Sequence, residues 1–205
     1  GLGSSAALCT AMARLHSRQD GPRAALLGER LFHGKASGID PYTIAVGQPI
    51  VFRASDLSWR PLDSRRFAEE NLVFVLRDSG LRHRTSEVIE AVSRTRQETP
   101  LIWEDLMDAL ASNADAMVRA FEENPARDLG RIMNDSHFRL LQLGVSTEKL
   151  DDLAESLRAQ GALGAKLTGA GRGGYVLALF RQEDFSRLPA HDAQIVEPLT
   201  SRTHL

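Results

Sequence analysis

The chain opens on Gly1-Leu-Gly-Ser-Ser-Ala-Ala7, two glycines and two serines that run into an Ala-rich apolar segment. This is the feature that most restricts the fold. Small residues followed by an apolar run predict a loop that opens a helix, and glycines let the backbone come close to a ligand. A helix N-terminus presents N–H groups and the positive end of the dipole, so phosphate is a natural guest. The serines can cap that helix or reach a phosphate-bound Mg²⁺, and the residues alone leave both roles open. No Gly-Lys-Ser/Thr follows, so this is not a Walker A loop.

Two more stretches share this character. Lys166-Leu-Thr-Gly-Ala-Gly-Arg-Gly-Gly-Tyr175 is a second glycine-rich loop, and it continues into the apolar segment 176–180. Between the two lies His33-Gly-Lys-Ala-Ser-Gly-Ile-Asp40.

The periodicity around them predicts a mixed chain. A helix is expected over 4–17, with Ala6, Ala7, Leu8, Met12, Ala13 and Leu15 as its apolar positions. Asp20 reads as the cap of a second helix, with Pro22 early in it. That helix runs to Phe32, carries Leu26, Leu27 and Leu31 inward, and ends at Gly34. A loop over 34–40, a short helix from Asp40-Pro41 to Val46, a strand at 49–52 and a partner strand marked by Trp59 follow. The charged segment 60–70 reads as a connection between domains. The continuous apolar run 71–76 reads as a buried strand. Four helices are expected at 85–96, 101–122, 126–143 and 147–160, with Gly144 and Gly161 at helix ends. Strands at 163–168 and 173–180, a short helix at 182–188 and a strand at 193–198 complete an α+β pattern.

Composition excludes several classes. With 42% hydrophobic and 25% charged residues the chain reads as an ordinary globular protein, and a net charge of −2 offers no broad basic field for nucleic acid or membrane surfaces. No run is long enough to span a membrane. The single cysteine, Cys9, cannot form an internal disulfide, which favours a reducing, cytoplasmic setting. No neighbour that would stabilise a thiolate surrounds it, so it is not read as a nucleophile.

The three glycine-containing stretches, in this order, resemble the GHMP kinase superfamily, and the resemblance covers nearly the whole chain. The first matches the family's phosphate loop and the last its C-terminal glycine motif. Asn134-Asp-Ser-His137, Leu141-Gln-Leu-Gly-Val-Ser146 and Gly161 through Gly171 look most like the mevalonate kinase branch. The resemblance implies a two-domain fold: an incomplete ribosomal-S5-like N-terminal domain over 1–65 and a ferredoxin-like C-terminal domain over 66–205. Relatives carry a segment before the first motif, so a fragment is expected here. The implied reaction is transfer of the γ-phosphoryl of ATP, with Mg²⁺, to the 5-hydroxyl of mevalonate. A neighbouring acceptor such as phosphomevalonate or a sugar, or a non-catalytic nucleotide-binding relative, is the alternative. Nothing in the sequence marks a homodimer interface, and that assembly stays open.

The same resemblance assigns residues. Gly1, Leu2, Gly3, Ser4, Ser5 and Ala6, with Gly169, Ala170, Gly171 and Gly173, would bind ATP in two loops around the triphosphate. Ser5 and Glu29 would hold Mg²⁺; read without the resemblance, Glu29 is a surface carboxylate on a leucine-rich helix. Asp40, at the end of a Ser-Gly-x-Asp match that has Ala36 in place of proline, would be the catalytic base. Its other reading is a helix cap before Pro41. His33, Ser37, Gly38, Thr85 and Ala170 would line the substrate, although His33 also reads as a helix-end histidine and Thr85 as a cap. Lys35 reads as solvated. Arg82, His83 and Arg84 could meet a phosphate or be solvated. Arg172 replaces a glycine of the family's later motif. It would cost about 1–2 kcal/mol if its φ is positive, or add a cation beside the phosphates.

Overall fold

The computed structural model describes residues 3–16, 21–33, 36–82, 85–185 and 194–196. The chain divides into two compact units, one over residues 1–63 and one over 64–197. Among the described residues no helix is long and apolar enough to cross a membrane.

The first unit holds α1 (Ser4–His16), α2 (Gly21–His33), α3 (Ile39–Val46) and an antiparallel hairpin of β1 (Ile50–Arg53) and β2 (Ser58–Pro61), in which Phe52 faces Trp59. Pro22 is the second residue of α2; Asp20 and Gly34 lie outside the described residues. The expected inward faces of α1 and α2 need correction. Leu8, Met12 and Leu15 are exposed, as are Ala7, Leu27 and Leu31, while Ala6, Cys9, Thr10 and Ala13 are buried on α1, and Ala25, Leu26 and Glu29 on α2. The buried set on α1 keeps helical spacing but uses small residues, because the two helices approach closely. A Cβ on Gly28 would lie 2.9 Å from the Cys9 sulfur. Arg14 ties α1 to α3 by donating to the Ala45 carbonyl at 2.9 Å, and Tyr42 of α3 packs on Phe52 at 5.1 Å between ring centres.

In the second unit, 60–70 is more than a connection. It contains α4 (Arg65–Glu69), whose Phe67 is buried and stacks at 4.9 Å on Phe74 and at 5.0 Å on Phe121. An amphipathic turn of five residues is too short for periodicity to reveal. β3 (Leu72–Asp78) leads into α5 (Thr85–Glu98), α6 (Pro100–Glu123), a π-helical turn at Pro125–Leu129, α7 (Gly130–Gln142) and α8 (Glu148–Ala159). β4 (Gly164–Thr168), β5 (Tyr175–Arg181), α9 (Gln182–Phe185) and β6 (Gln194–Val196) follow.

The sheet order is β4-β5-β3-β6, with every neighbouring pair antiparallel. Renumbered within the unit, the strands run 2-3-1-4, the order of a ferredoxin-like sheet. The register explains the core. Val73 pairs with Phe180, Val75 with Ala178, Ala165 with Ala178 and Leu167 with Val176. Side chains alternate along a strand, so these seven share one face. They form a single buried cluster with Val88, Leu106, Leu150, Ala154 and Leu157 from α5, α6 and α8.

α7 reaches β4 through paired glycines. A Cβ on Gly130 would lie 2.3 Å from the Leu163 carbonyl oxygen, and one on Gly164 would lie 2.1 Å from the Gly130 oxygen. Backbone meets backbone there, so no side-chain rotation can relieve an added methyl. Gly164→Ala is expected to cost more than about 3 kcal/mol of stability, against about 0.5 kcal/mol or less for an ordinary exposed substitution, as read by urea unfolding.

Candidate functional site

Each unit holds some of the candidate residues. In the first, the Gly3 carbonyl accepts the first bond of α1, from Ala7 N–H at 2.9 Å. The N–H groups of Ser4, Ser5 and Ala6 therefore belong to the first turn, at the positive end of the dipole. Ser4 is exposed, Ser5 half-buried and Ala6 buried; Gly1 and Leu2 lie outside the described residues. Gly3 abuts α3, since a Cβ on it would stand 3.3 Å from Ile44 Cδ1 and 3.8 Å from Asp40 Cγ. The phosphate-loop candidate and the candidate base are thus neighbours.

Asp40 is the second residue of α3, whose N-cap position is Gly38, so it is not the cap. Gly38 is buried at φ 101°, against Phe52 and Leu26, and this aims the start of α3. Ser37 is exposed and its hydroxyl accepts the Ile39 N–H at 3.4 Å. His33 ends α2, but nothing is described of its side chain or Thr85's; Lys35, His83 and Arg84 lie outside the described residues.

Glu29 is only 6% exposed, and its Oε1 has no hydrogen-bond partner; the Thr10 hydroxyl is also buried and unpartnered. The surface-carboxylate reading of Glu29 is therefore wrong. An orphaned buried carboxylate oxygen fits a cation ligand. Among the described residues no three of His, Cys, Asp or Glu converge to hold a metal by themselves. Mg²⁺ does not ask for that; it is ordinarily held by one or two carboxylates, waters and substrate phosphates. Asp40 reaches solvent, yet burial of its surroundings first and the Glu29 charge second raise its pKa above the ordinary aspartate value. The Cys9 thiol is likewise pushed up, by burial and then by Glu29, so it stays a protonated, inert core residue.

In the second unit, the loop between β4 and β5 is built on backbone carbonyls. Arg172 N–H donates to Val145 O at 2.6 Å, and a Cβ on Gly171 would lie 2.3 Å from that same oxygen. Opposite, Gly174 N–H donates to Leu81 O at 2.9 Å, while the Ser79 N–H and hydroxyl both donate to Gly174 O at 2.8 Å. A Cβ on Gly173 would lie 2.7 Å from Leu81 O. Gly169 and Ala170 remain exposed. The segment 78–82 is thus brought to the glycine loop, a placement the sequence order did not reveal. Val145 and Leu81 also act through carbonyls, which no side-chain pattern reports.

Arg172 does take positive φ, at 56°, and its Nε donates to the Gly144 carbonyl at 3.3 Å. Arg82 is held by Asp78 in a two-point pair at 2.7 and 2.6 Å and lies over the Tyr175 ring at 5.7 Å. That pair, then the Gly80 N–H, draws the Asp78 carboxyl down to about 2. Arg82 is therefore a paired cation rather than a simply solvated one.

Residues 117–190 match the family model for the C-terminal part of GHMP kinases. A mevalonate kinase of Aeropyrum pernix is 35% identical over 199 residues, 91% of this chain and 59% of that protein. The chain is similar to the GHMP kinases over these residues. It is also 37% identical to a mevalonate kinase of Pyrococcus horikoshii over 90% of its own length and 57% of the relative's. It therefore spans less than two thirds of these curated relatives. A crystal structure of L. major mevalonate kinase in complex with R-mevalonate superposes with a TM-score of 0.79 at 25% identity, covering 97% of this chain and 67% of that one.

Two outcomes follow for these residues. Removing the Glu29 charge is expected to lower the pKa of Asp40, so in Glu29→Gln the Asp40 carboxyl signal should titrate at lower pH in metal-free NMR. On the glycine loop, Gly171→Ala combines a φ of 97° with a backbone clash and should cost more than about 3 kcal/mol. Arg172→Gly should stay within about 1 kcal/mol, because relief of left-handed strain is offset by the freer unfolded chain. Urea unfolding of both variants checks the contrast.

Proposed function

We propose that this chain carries the catalytic carboxylate and the nucleotide-contacting loops of an ATP-dependent mevalonate kinase. The closeness of Gly3 to Asp40 is the observation that carries the reading, because a Cβ on Gly3 would stand 3.8 Å from the Asp40 Cγ, so a helix start lies beside a carboxylate of raised pKa. The names of the relatives point to mevalonate as acceptor. Residues 1–65 would then be part of the ATP-binding domain, and 66–205 the C-terminal domain.

The first-turn N–H groups of α1 and the loop at Gly169, Ala170, Gly171 and Gly173 supply donors for triphosphate oxygens. Asp40 orients the 5-hydroxyl and accepts its proton. The hydroxyl oxygen forms a bond to the γ-phosphorus, the bond from that phosphorus to the β,γ-bridging oxygen breaks, and ADP leaves with the electron pair. Ser5 and Glu29 would hold Mg²⁺, which when bound neutralises charge on the phosphates. Ser37 and Gly38 shape the approach to Asp40, with His33 and Thr85 as further substrate contacts. A cytoplasmic setting rests on the lone, buried Cys9.

The test is ADP release by the complete protein with Mg-ATP and mevalonate, compared with phosphomevalonate, galactose and homoserine. Turnover with mevalonate alone is expected. Asp40→Asn should lower kcat by about 10²–10⁴-fold while leaving both KM values within a few fold. Turnover with a rival acceptor alone would sink the mevalonate assignment, and an Asp40→Asn enzyme of normal kcat would sink the base.

A further inference from the structure

Among the described residues β4 is an edge strand, bonded to β5 on one side only. On its outer side, Ala165 N–H donates to Asn134 Oδ1 at 2.9 Å and Leu167 N–H donates to His137 Nδ1 at 3.2 Å. Asn134 and His137 stand three residues apart on α7 and so share a face. His137 is buried. Because Nδ1 accepts, the ring proton sits on Nε2, which lies 3.1 Å from Asp151 Oδ1. The same Asp151 oxygen accepts the Ser146 hydroxyl at 2.5 Å. Ser146 follows Val145, whose carbonyl binds Arg172 N–H and bounds Gly171.

One carboxylate oxygen therefore joins both anchors of the glycine loop. One anchor is the end of β4, two residues before Gly169; the other is the segment under Gly171 and Arg172. We propose that His137, acting through Asp151 and Ser146, is a positioning residue that sets the glycine loop at 169–174. The charged groups acting on the ring are Asp151 and Arg158 of α8 and Lys166 of β4. Burial, helped by Arg158 and Lys166 and opposed by Asp151, holds the imidazole below its ordinary pKa, so the neutral tautomer the brace uses is favoured at neutral pH. A residue that only sealed the strand edge would stabilise β4 without governing the loop.

The affinity arm of the test rests on the loop's role in binding ATP; the exchange arm does not. In the complete protein, amide hydrogen exchange over 168–175 is measured without nucleotide, and KM for ATP and kcat are measured at saturating mevalonate. For His137→Leu, loop exchange is expected to accelerate about tenfold or more and KM for ATP to rise about tenfold, with kcat within about threefold. His137→Asn keeps an acceptor near the Nδ1 position but loses the Nε2 donor to Asp151, so it should hold the strand edge and still show faster loop exchange and a raised KM for ATP; full recovery of both by asparagine would reduce His137 to an edge seal and overturn the brace. Should the leucine variant not fold, Ser146→Ala removes one donor to Asp151 and should show the same pattern more weakly. Unchanged loop exchange in a folded His137→Leu or Ser146→Ala protein overturns the brace. Faster exchange with unchanged ATP affinity upholds the brace and removes the nucleotide role of the loop.

Discussion

The contact on which the second unit depends is the meeting of two glycines, Gly130 at the start of α7 and Gly164 at the start of β4. Their backbones approach so closely that neither position has room for a methyl group. That distance brings the next turns of α7 over the outer edge of β4, where Asn134 and His137 accept the strand's unpaired N–H groups. An open edge is a liability in any sheet, and buried donors without acceptors cost about 1–3 kcal/mol each. Side chains of one helix satisfy both requirements, and they can do so only because the helix starts where it does.

The glycine loop inherits this geometry. Its stem is β4, and its floor and far wall are the carbonyls of Val145 and Leu81. A loop packed on carbonyl oxygens excludes side chains at Gly171 and Gly173 for steric reasons that have nothing to do with ligand. The sequence motif thus carries two demands at once: room for the neighbouring backbone, and an exposed rim at Gly169 and Ala170. Arg172 meets only part of them. It accepts left-handed strain of about 1–2 kcal/mol, while its guanidinium finds the Gly144 carbonyl.

Much of this was legible in the chain. The apolar run from Leu72, the four helices after it, and the strand–loop–strand around Gly169 to Gly174 stand where periodicity and glycine spacing put them. What failed was the assignment of faces on α1 and α2. Counting large apolar residues selects Leu8, Met12, Leu15, Leu27 and Leu31, whereas close helix packing selects Cys9, Ala13, Ala25 and Gly28. Volume argues for burial only where space exists to fill. The carbonyl walls of the loop were invisible for a different reason, since contacts to backbone carbonyls far away in the sequence, Val145 and Leu81, leave no side-chain signature. The roles expected for Asp40 and Ser5 rest on family resemblance and not on residue spacing, and only the closeness of Gly3 to Asp40 bears on one of them locally.

Glu29 shows how the two kinds of reading combine. A carboxylate amid leucines on an amphipathic helix reads as solvated, and nothing in its spacing says otherwise. Placed at 6% exposure with an unpartnered oxygen, it becomes a group that a fold does not keep for stability, because a buried charge without compensation is costly. Its field reaches Asp40, whose carboxyl already has a raised pKa from desolvation. Two carboxylates on neighbouring helices are thus set apart by environment: one buried and suited to a cation, the other open to solvent and suited to a proton. The difference in environment goes with the close packing of α1 on α2 at Gly28, next to the buried Glu29, and with Gly38, whose left-handed backbone precedes α3 and sets Asp40 near Gly3.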